Sequence, residues 1–299
     1  MTYDVHTSTL RRFNRSYTQR IGALDESFLG LGLPLGSARL LFEIGAEGTT
    51  VHQLRARLGL DSGYLSRLLR RLEDTGLVKV GPDPADRRRR TVGLTKKGQT
   101  TWRKLDDRSE QLARHLVEPL TGRQRQRLTD ALATADLLVR AATVTLETVD
   151  PTAPEAVTAV GHYFAELDRR FENGFDPGDA LTTDAAAMSA PRGVFVVAVS
   201  EGEPVACGGV QRLEPGVCEI KRMWVHDDWR GAGLGSRLLR RLEDEATRLG
   251  CRRVRLDTNG TLLEAIAMYE RAGYQPIGRY NDNPYAQAWF ERNVSPAAR

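Results

Sequence analysis

Four residues past the apolar-rich run 217–225, and leading into a helical pattern, the chain reads Arg230-Gly231-Ala232-Gly233-Leu234-Gly235-Ser236. Glycines let backbone amides approach a ligand, and a helix N-terminus adds unpaired N–H donors and the positive end of the helix dipole. A pyrophosphate fits such a loop. The spacing is neither Gly-x-Gly-x-x-Gly nor a turn closing on Gly-Lys-Ser/Thr, which sets aside dinucleotide-fold and P-loop sites. A second anion-seeking feature is Asp86-Arg87-Arg88-Arg89-Arg90. Adjacent guanidiniums repel one another unless an anion is near, and backbone phosphates or a narrow minor groove supply it. Asp86 can orient one of them through a bidentate pair. Upstream, a helical pattern over 62–75 leaves Ser62, Tyr64, Ser66 and Arg67 on its polar side, placed to meet base edges in a major groove, with Arg70 and Arg71 toward phosphates. The five histidines are scattered without metal-ligand spacing, so no metal is expected. Cys207, Cys218 and Cys251 form no Cys-x-x-Cys pair and are odd in number, so buried reduced thiols are expected.

These groups need elements to hold them. Hydrophobic residues make up 40% and charged ones 27% of 299 residues, the balance of a globular chain long enough for two cores. Helical patterns cover 10–29, 35–44, 51–58 and 62–75, the last two separated by Gly59-Leu60-Asp61, where Asp61 or Ser62 can cap the second helix. Two short β-like runs flank the arginine cluster, which makes it the tip of a hairpin. Helix returns from 96 to about 142, broken near Glu118-Pro119 and Thr121-Gly122. The stretch 149–154 carries two prolines and reads as a linker. Beyond it, a helix over 155–170 precedes strands at 194–199, 204–212, 217–225 and 253–257, with helices at 235–249 and 262–272. Such alternation predicts a sheet with helices on its faces. The expected fold class is therefore a two-domain α+β / α/β chain: a mostly α N-terminal winged helix-turn-helix over 1–147 and a mixed β-sheet flanked by helices over 148–299. Charge divides along the same line. Residues 1–147 hold 25 Lys+Arg against 17 Asp+Glu, whereas 148–299 hold 18 against 22, so only the first half is expected to face a polyanion. No apolar run approaches the ~18 residues of a membrane span. The opening MTYDVHTSTLRRF lacks the apolar core of a secretory signal, so a cytoplasmic protein without membrane contact is expected.

The stretch DSGYLSRLLRRLEDTGLVKVGPDPADRRRRTVGLTKKG resembles the recognition helix and wing of the MarR family of transcriptional regulators. The family's wing pattern, Asp-x-x-Asp-x-Arg with a Leu-Thr-x-x-Gly close, is met by Asp83, Asp86, Arg88, Leu94, Thr95 and Gly98. The resemblance spans nearly all of 1–145. It implies a homodimer through the outer helices, 10–29 and 104–142, reading a pseudo-palindrome on double-stranded DNA.

The order Arg-x-x-Gly-x-Gly after an apolar strand resembles the signature loop of the GNAT acetyltransferases, and EAIAMYERAGYQ resembles that fold's closing helix. This second resemblance covers about 150–299. It implies that amides of the 230–236 loop hold the pyrophosphate of acetyl-CoA, while Met223, Trp224 and Val225 pair their backbone with the pantetheine arm. It implies Glu219, six residues before Val225, as general base, directly or through a water, with His226 as the alternative. Tyr269 matches the family's general acid for the coenzyme A thiolate. Many members carry Asn seven residues before that Tyr, whereas here the position is Leu262, with Asn259 nearby. Glu172, in FENGFD, is a candidate for the acceptor site, and Lys221 and Arg222 can attract a carboxylate.

Three functions are compatible with these residues: an acetyltransferase tethered to a DNA-binding dimer, a regulator whose second domain only senses acetyl-CoA, and an enzyme whose helix-turn-helix half only dimerises. Retention of Glu219 with Tyr269, and of Arg67, Arg70, Asp86 and Arg88, selects the first, with a small amine or a protein lysine as acceptor.

Overall fold

The computed structural model describes residues 2–83, 86–178 and 185–295. They form two compact units, Met1–Thr129 and Asp130–Arg299.

In the first unit, α1 (Thr2–Arg20), α2 (Leu35–Ile44), α3 (Val51–Leu58) and α4 (Ser62–Asp74) precede the hairpin β2 (Val78–Pro82) and β3 (Arg90–Leu94), and α5 (Lys96–Val117) follows. Helix α1 lies earlier than the expected 10–29, because Gly22 adopts φ 68 and ends it, leaving a 3-10 turn at Phe28–Gly30. Thr50 and Gln53 close a reciprocal capping box on α3, and Gly59 ends that helix at φ 61. Asp61, rather than Ser62, caps α4, its carboxylate accepting from the Tyr64 amide at 2.8 Å. Leu65, Leu69 and Leu72 of α4 join Leu40, Leu41, Leu54 and Val92 in one core. The hairpin runs in register from Val78↔Leu94 to Pro82↔Arg90, and β1 (Thr49–Thr50) adds a third strand on β3. The Thr95 hydroxyl accepts from the Gly98 amide at 3.0 Å and donates to Gly76 O at 2.7 Å, and a Cβ at Gly98 would run into the Leu77 carbonyl. The Leu-Thr-x-x-Gly close is thus a packing requirement at the base of the wing.

Helix α6 (Gly122–Thr143) supplies residues to both units. The second unit is a seven-stranded sheet in the order β4-β5-β6-β7-β8-β10-β9. Its strands are β4 (Leu146–Val149), β5 (Gly193–Ser200), β6 (Glu203–Glu214), β7 (Val217–Val225), β8 (Arg253–Thr258), β9 (Gln275–Ile277) and β10 (Ala288–Asn293). Only β7 and β8 pair in parallel; the other neighbours are antiparallel. Alternation sorts the faces. On β5, Phe195 and Val197 pack beneath α7 (Pro154–Arg170), while Val196 and Ala198 join the opposite core with α8 (Leu234–Arg248). Helix α9 (Leu263–Arg271) adds Tyr269 to that second core.

The expectation of three reduced thiols is corrected. Cys218 and Cys251 form a disulfide with Cα atoms 5.8 Å apart, and only Cys207 is free, buried in the sheet. Parallel pairing of Val217 with Arg253 and of Cys218 with Val254 brings the start of β7 beside the start of β8, and a sequence separation of 33 residues does not announce that meeting. No helix among the described residues is long and apolar enough to cross a membrane, and among them no cluster of His, Cys, Asp or Glu is arranged to hold a metal ion.

Candidate functional site

The site of the second unit starts from a fault in the sheet. Strands β7 and β8 pair only over Val217–Glu219 and Arg253–Arg255; beyond that they part. The β6–β7 register shifts between Cys207 and Gly209, opposite Arg222, which takes φ 57, a left-handed conformation unusual for a side-chain-bearing residue. The bulge turns the end of β7 away from β8 and opens a cleft whose β7 wall has backbone groups unused by the sheet. Met223 and Val225 border the cleft, while the Trp224 indole turns under α7 and donates to Glu166 Oε2 at 2.8 Å.

Two cavities occupy the cleft. The first, about 490 Å³, runs from Met223 and Val225 to Gly231, Gly233, Gly235 and Ser236 at the start of α8. Gly233 is the N-cap at φ 80 and no side chain caps the helix, so the first-turn amides of α8 point at the cavity without a capping partner. Gly235 sits where a Cβ would come within 3.1 Å of Met268 Sδ, a close approach that keeps the cradle open. Leu234 is fully buried and Ala232 packs on the core, which anchors the loop from below. Arg230 serves the loop differently from a phosphate ligand. Its Nε donates to Val225 O at 3.0 Å, and its terminal nitrogens meet both oxygens of Glu166 at 2.5 and 2.6 Å and Asp227 at 2.5 Å. Glu166, on α7, also accepts from Arg170 at 3.1 Å. Burial opposes ionisation of Glu166, but the donors from Arg230, Arg170 and Trp224 outweigh it and hold the carboxyl below its ordinary value.

The second cavity, about 630 Å³, shares Tyr163, Leu167, Met223, Leu262, Ala265 and Tyr269 with the first, so the two meet there. Tyr269 is 5% exposed, its hydroxyl 3.9 Å from Met223 Sδ, and burial pushes its phenol well above the ordinary value, with Tyr163 and Asp257 adding to the shift. Glu219 lines the second cavity and is 3% exposed. Its Oε2 accepts from Gln211 at 2.9 Å, and its Oε1 from the Tyr280 hydroxyl at 2.9 Å and Asn281 Nδ2 at 3.2 Å. Burial and the Glu219 charge raise the Tyr280 phenol, which therefore remains a donor. Asp257, on β8, lines the same cavity and accepts from Asn283 Nδ2 at 2.5 Å.

Other candidates fall elsewhere. Asn259 borders the second cavity, not the first, and both ends of its amide are engaged: Nδ2 donates to Tyr285 O at 2.8 Å, and Oδ1 accepts from the Thr261 amide and hydroxyl at 3.0 and 2.8 Å. It ties two loops together, and Leu262 occupies the junction of the cavities. Glu172 is exposed, and its neighbours Phe171 and Phe175 line the second cavity in its place. His226 Nδ1 accepts from the Asp228 amide at 3.2 Å, which fixes it as the cap of a short turn outside both cavity walls. The sequence gives no motif for Asp257, Tyr280, Asn281 or Asn283. The only signal is an aperiodic polar and aromatic run, Arg279-Tyr280-Asn281-Asp282-Asn283-Pro284-Tyr285, between two short strands.

In the first unit, Ser62, Tyr64, Ser66, Arg67 and Arg70 all lie on the exposed side of α4. Tyr64 is 39% exposed and the Arg67 guanidinium sits 5.7 Å from its ring centroid. Ser66 Oγ donates to Ser62 O at 2.7 Å, inside the helix. In the wing, Asp86 Oδ1 accepts from the Arg88 amide at 3.0 Å, and its other oxygen lies 3.5 Å from Arg89 Nε. The carboxylate thus shapes the turn and leans on Arg89 by one contact, in place of the expected bidentate pair.

A splayed β7–β8 cleft with a glycine cradle and two joined cavities defines an acyltransferase, and the upstream unit is a winged helix-turn-helix. Residues 162–274 match the Acetyltransferase (GNAT) family and residues 31–89 match the MarR family. An IAA acetyltransferase of Azospirillum brasilense is 34% identical over 130 residues, 42% of this chain and 85% of that protein. The HTH-type transcriptional regulator TtmR of Methylorubrum extorquens is 39% identical over 90 residues, 29% of this chain and 44% of its own length. A solved GNAT-family acetyltransferase from Staphylococcus aureus Mu50 aligns over 50% of this chain and 100% of its own, at 16% identity and TM-score 0.45. The chain belongs to the GNAT acetyltransferase family through its C-terminal half, and that half follows a winged helix whose residues 31–89 match the MarR family.

Proposed function

We propose that the chain is an acetyl-CoA-dependent N-acetyltransferase acting on a primary amine, built onto a MarR-like domain that binds double-stranded DNA as a homodimer. The observation that carries the enzymatic part is the meeting of the two cavities at Tyr269, with the glycine cradle at the far end of one and Glu219 on the wall of the other. Amides of 231–236 would hold the pyrophosphate of acetyl-CoA, and the edge of β7 that β8 leaves unpaired, at Met223–Val225 apart from the Val225 carbonyl taken by Arg230, would carry the pantetheine arm and polarise the thioester carbonyl. Acetyl-CoA supplies the activated acyl group. Glu219 takes the ammonium proton, directly or through a water held by Tyr280 and Asn281; the amine nitrogen then bonds the acyl carbon as its bond to sulfur breaks. Tyr269 would give its proton to the departing thiolate, and the second proton lost by the nitrogen as the amide forms would restore the Tyr269 hydroxyl.

The DNA-binding part rests on α4 and the wing, where cationic and hydrogen-bonding side chains share an exposed side and the basic half of the chain lies. A purely acetyl-CoA-sensing domain would need no second cavity lined by carboxylates, so the enzymatic function is favoured. The test is Glu219→Gln, with coenzyme A release and acetyl-CoA affinity both measured. Turnover should fall by roughly 10²-fold or more, with acetyl-CoA affinity within a factor of two. Unchanged turnover would remove Glu219 as base, and absence of acetyl-CoA binding would remove the acetyl-transfer function.

A further inference from the structure

The second cavity has two chemically different ends. Phe171, Phe175 and Tyr285 form one wall, with Phe175 and Tyr285 centroids 4.7 Å apart and Phe171 stacked on Tyr285 at 5.8 Å and 24°. All three are only partly buried, so each ring keeps surface for a ligand instead of vanishing into the core. The wall is fixed in place. The Tyr285 hydroxyl accepts from the Asp176 amide at 2.9 Å, Asn259 holds the Tyr285 carbonyl, and Phe175 leans on Phe164 at 5.3 Å.

At the other end stand two carboxylates, unequally placed. Glu219 is buried beneath three donors. Asp257 is half-buried, and among the described residues it accepts from Asn283 alone. Asp257 lines the cavity that Tyr163 and Tyr269 share with the first one, and after burial its charge adds to the raised phenols of both. Lys221 and Arg222 line the same cavity, and at Tyr163 the Arg222 charge opposes that of Asp257. The Arg222 guanidinium lies 4.7 Å over the Phe164 ring and 5.8 Å from that of Tyr163, on the α7 side. For an ammonium entering this cavity Asp257 is the carboxylate with fewer donors already on it, and the ring wall lines the same space.

Resting on the acetyl-transfer function proposed above, we infer that the acceptor is a small amine carrying an aromatic ring, its ammonium held by Asp257 and its ring packed against Phe175 and Tyr285. A lysine side chain offers the ammonium but only a flexible aliphatic stem to the ring wall, and a polyamine would bring further charges to it. Aromatic rings prefer offset or edge contacts with other rings, worth more than their buried area alone.

The experiment measures coenzyme A release by the full-length chain with phenethylamine, phenylalanine, hexylamine, spermidine and a lysine-containing peptide, alongside acetyl-CoA affinity by calorimetry. An aryl acceptor, phenethylamine or phenylalanine, should exceed hexylamine, spermidine and the peptide in kcat/KM by roughly tenfold or more, the factor set by about 1.4 kcal/mol of added contact. Phe175→Ala and Tyr285→Ala should shrink that preference toward unity. Asp257→Asn should raise the KM for the amine by roughly tenfold and leave the acetyl-CoA dissociation constant in place. Preference for hexylamine, spermidine or the peptide, or acetyl-CoA binding with no aryl amine turned over, overturns the inference and leaves the acetyl-CoA site standing. Failure to bind acetyl-CoA overturns both.

Discussion

At the scale of single residues, the fold pushes two groups further into the protonation states that neutral pH already favours. Tyr269 must be protonated to act as an acid, and burial pushes its phenol above its ordinary value of 10.0. The raised value moves loss of that proton further into alkali, so Tyr269 contributes no fall in rate below pH 10.0. Tyr269→Phe should lower kcat by about 10²-fold across that whole range without moving acetyl-CoA affinity, as a pH–rate series of both proteins will show. Glu166 illustrates the opposite sign. Its carboxyl is held below 4.5, so its stabilising effect is full above that value and is lost as pH falls through the lower folded one. Glu166→Gln leaves Arg230 and Arg170 without their shared anion and should cost about 3 kcal/mol at neutral pH. Melting curves of the two proteins should converge only below pH 4.5. Of these residues, Tyr269 and Glu219 are visible in the sequence because each sits at a fixed offset within a motif. Glu166, Asp257 and Tyr280 are not, since a carboxylate on a helix, one on a strand and a tyrosine in a loop carry no local mark of the partners that the fold brings them.

At the scale of elements, what the sequence reveals follows the strength of the periodicity. Helices α2 and α3 and strand β7 have the bounds expected from their apolar spacing. Strands β9 and β10 escape it: one is three residues with Pro276 at its centre, the other, AWFERN, mixes charges with rings because it is only partly buried. The wing is legible because a hairpin with a charged tip combines turn chemistry with two β-like runs, and its sharpest test is electrostatic. Arg88→Ala should weaken binding to a matched operator about equally across sequences and lower the slope of log affinity against log salt by about 1, measured by titration at several ionic strengths. An unchanged slope would place Arg88 away from phosphate.

At the scale of the whole molecule, the two proposed anion sites share one chain but differ in kind. The first unit would present full cationic charges to a polymer, and its half of the sequence is basic; the second would present backbone dipoles to a single pyrophosphate from an acidic half. This division is readable from composition. The disulfide between Cys218 and Cys251 is not, because it records a parallel strand pairing that only the folded sheet creates. That bond makes a closed ring of the chain from 218 to 251, and the ring contains the bulged end of β7, the glycine cradle and all of α8. A protease that nicks the cradle would therefore leave the chain in one piece. On a denaturing gel the nicked protein should run as a single species, and separate into two fragments only after a thiol is added. Two fragments without reductant would show that the ring is open in solution.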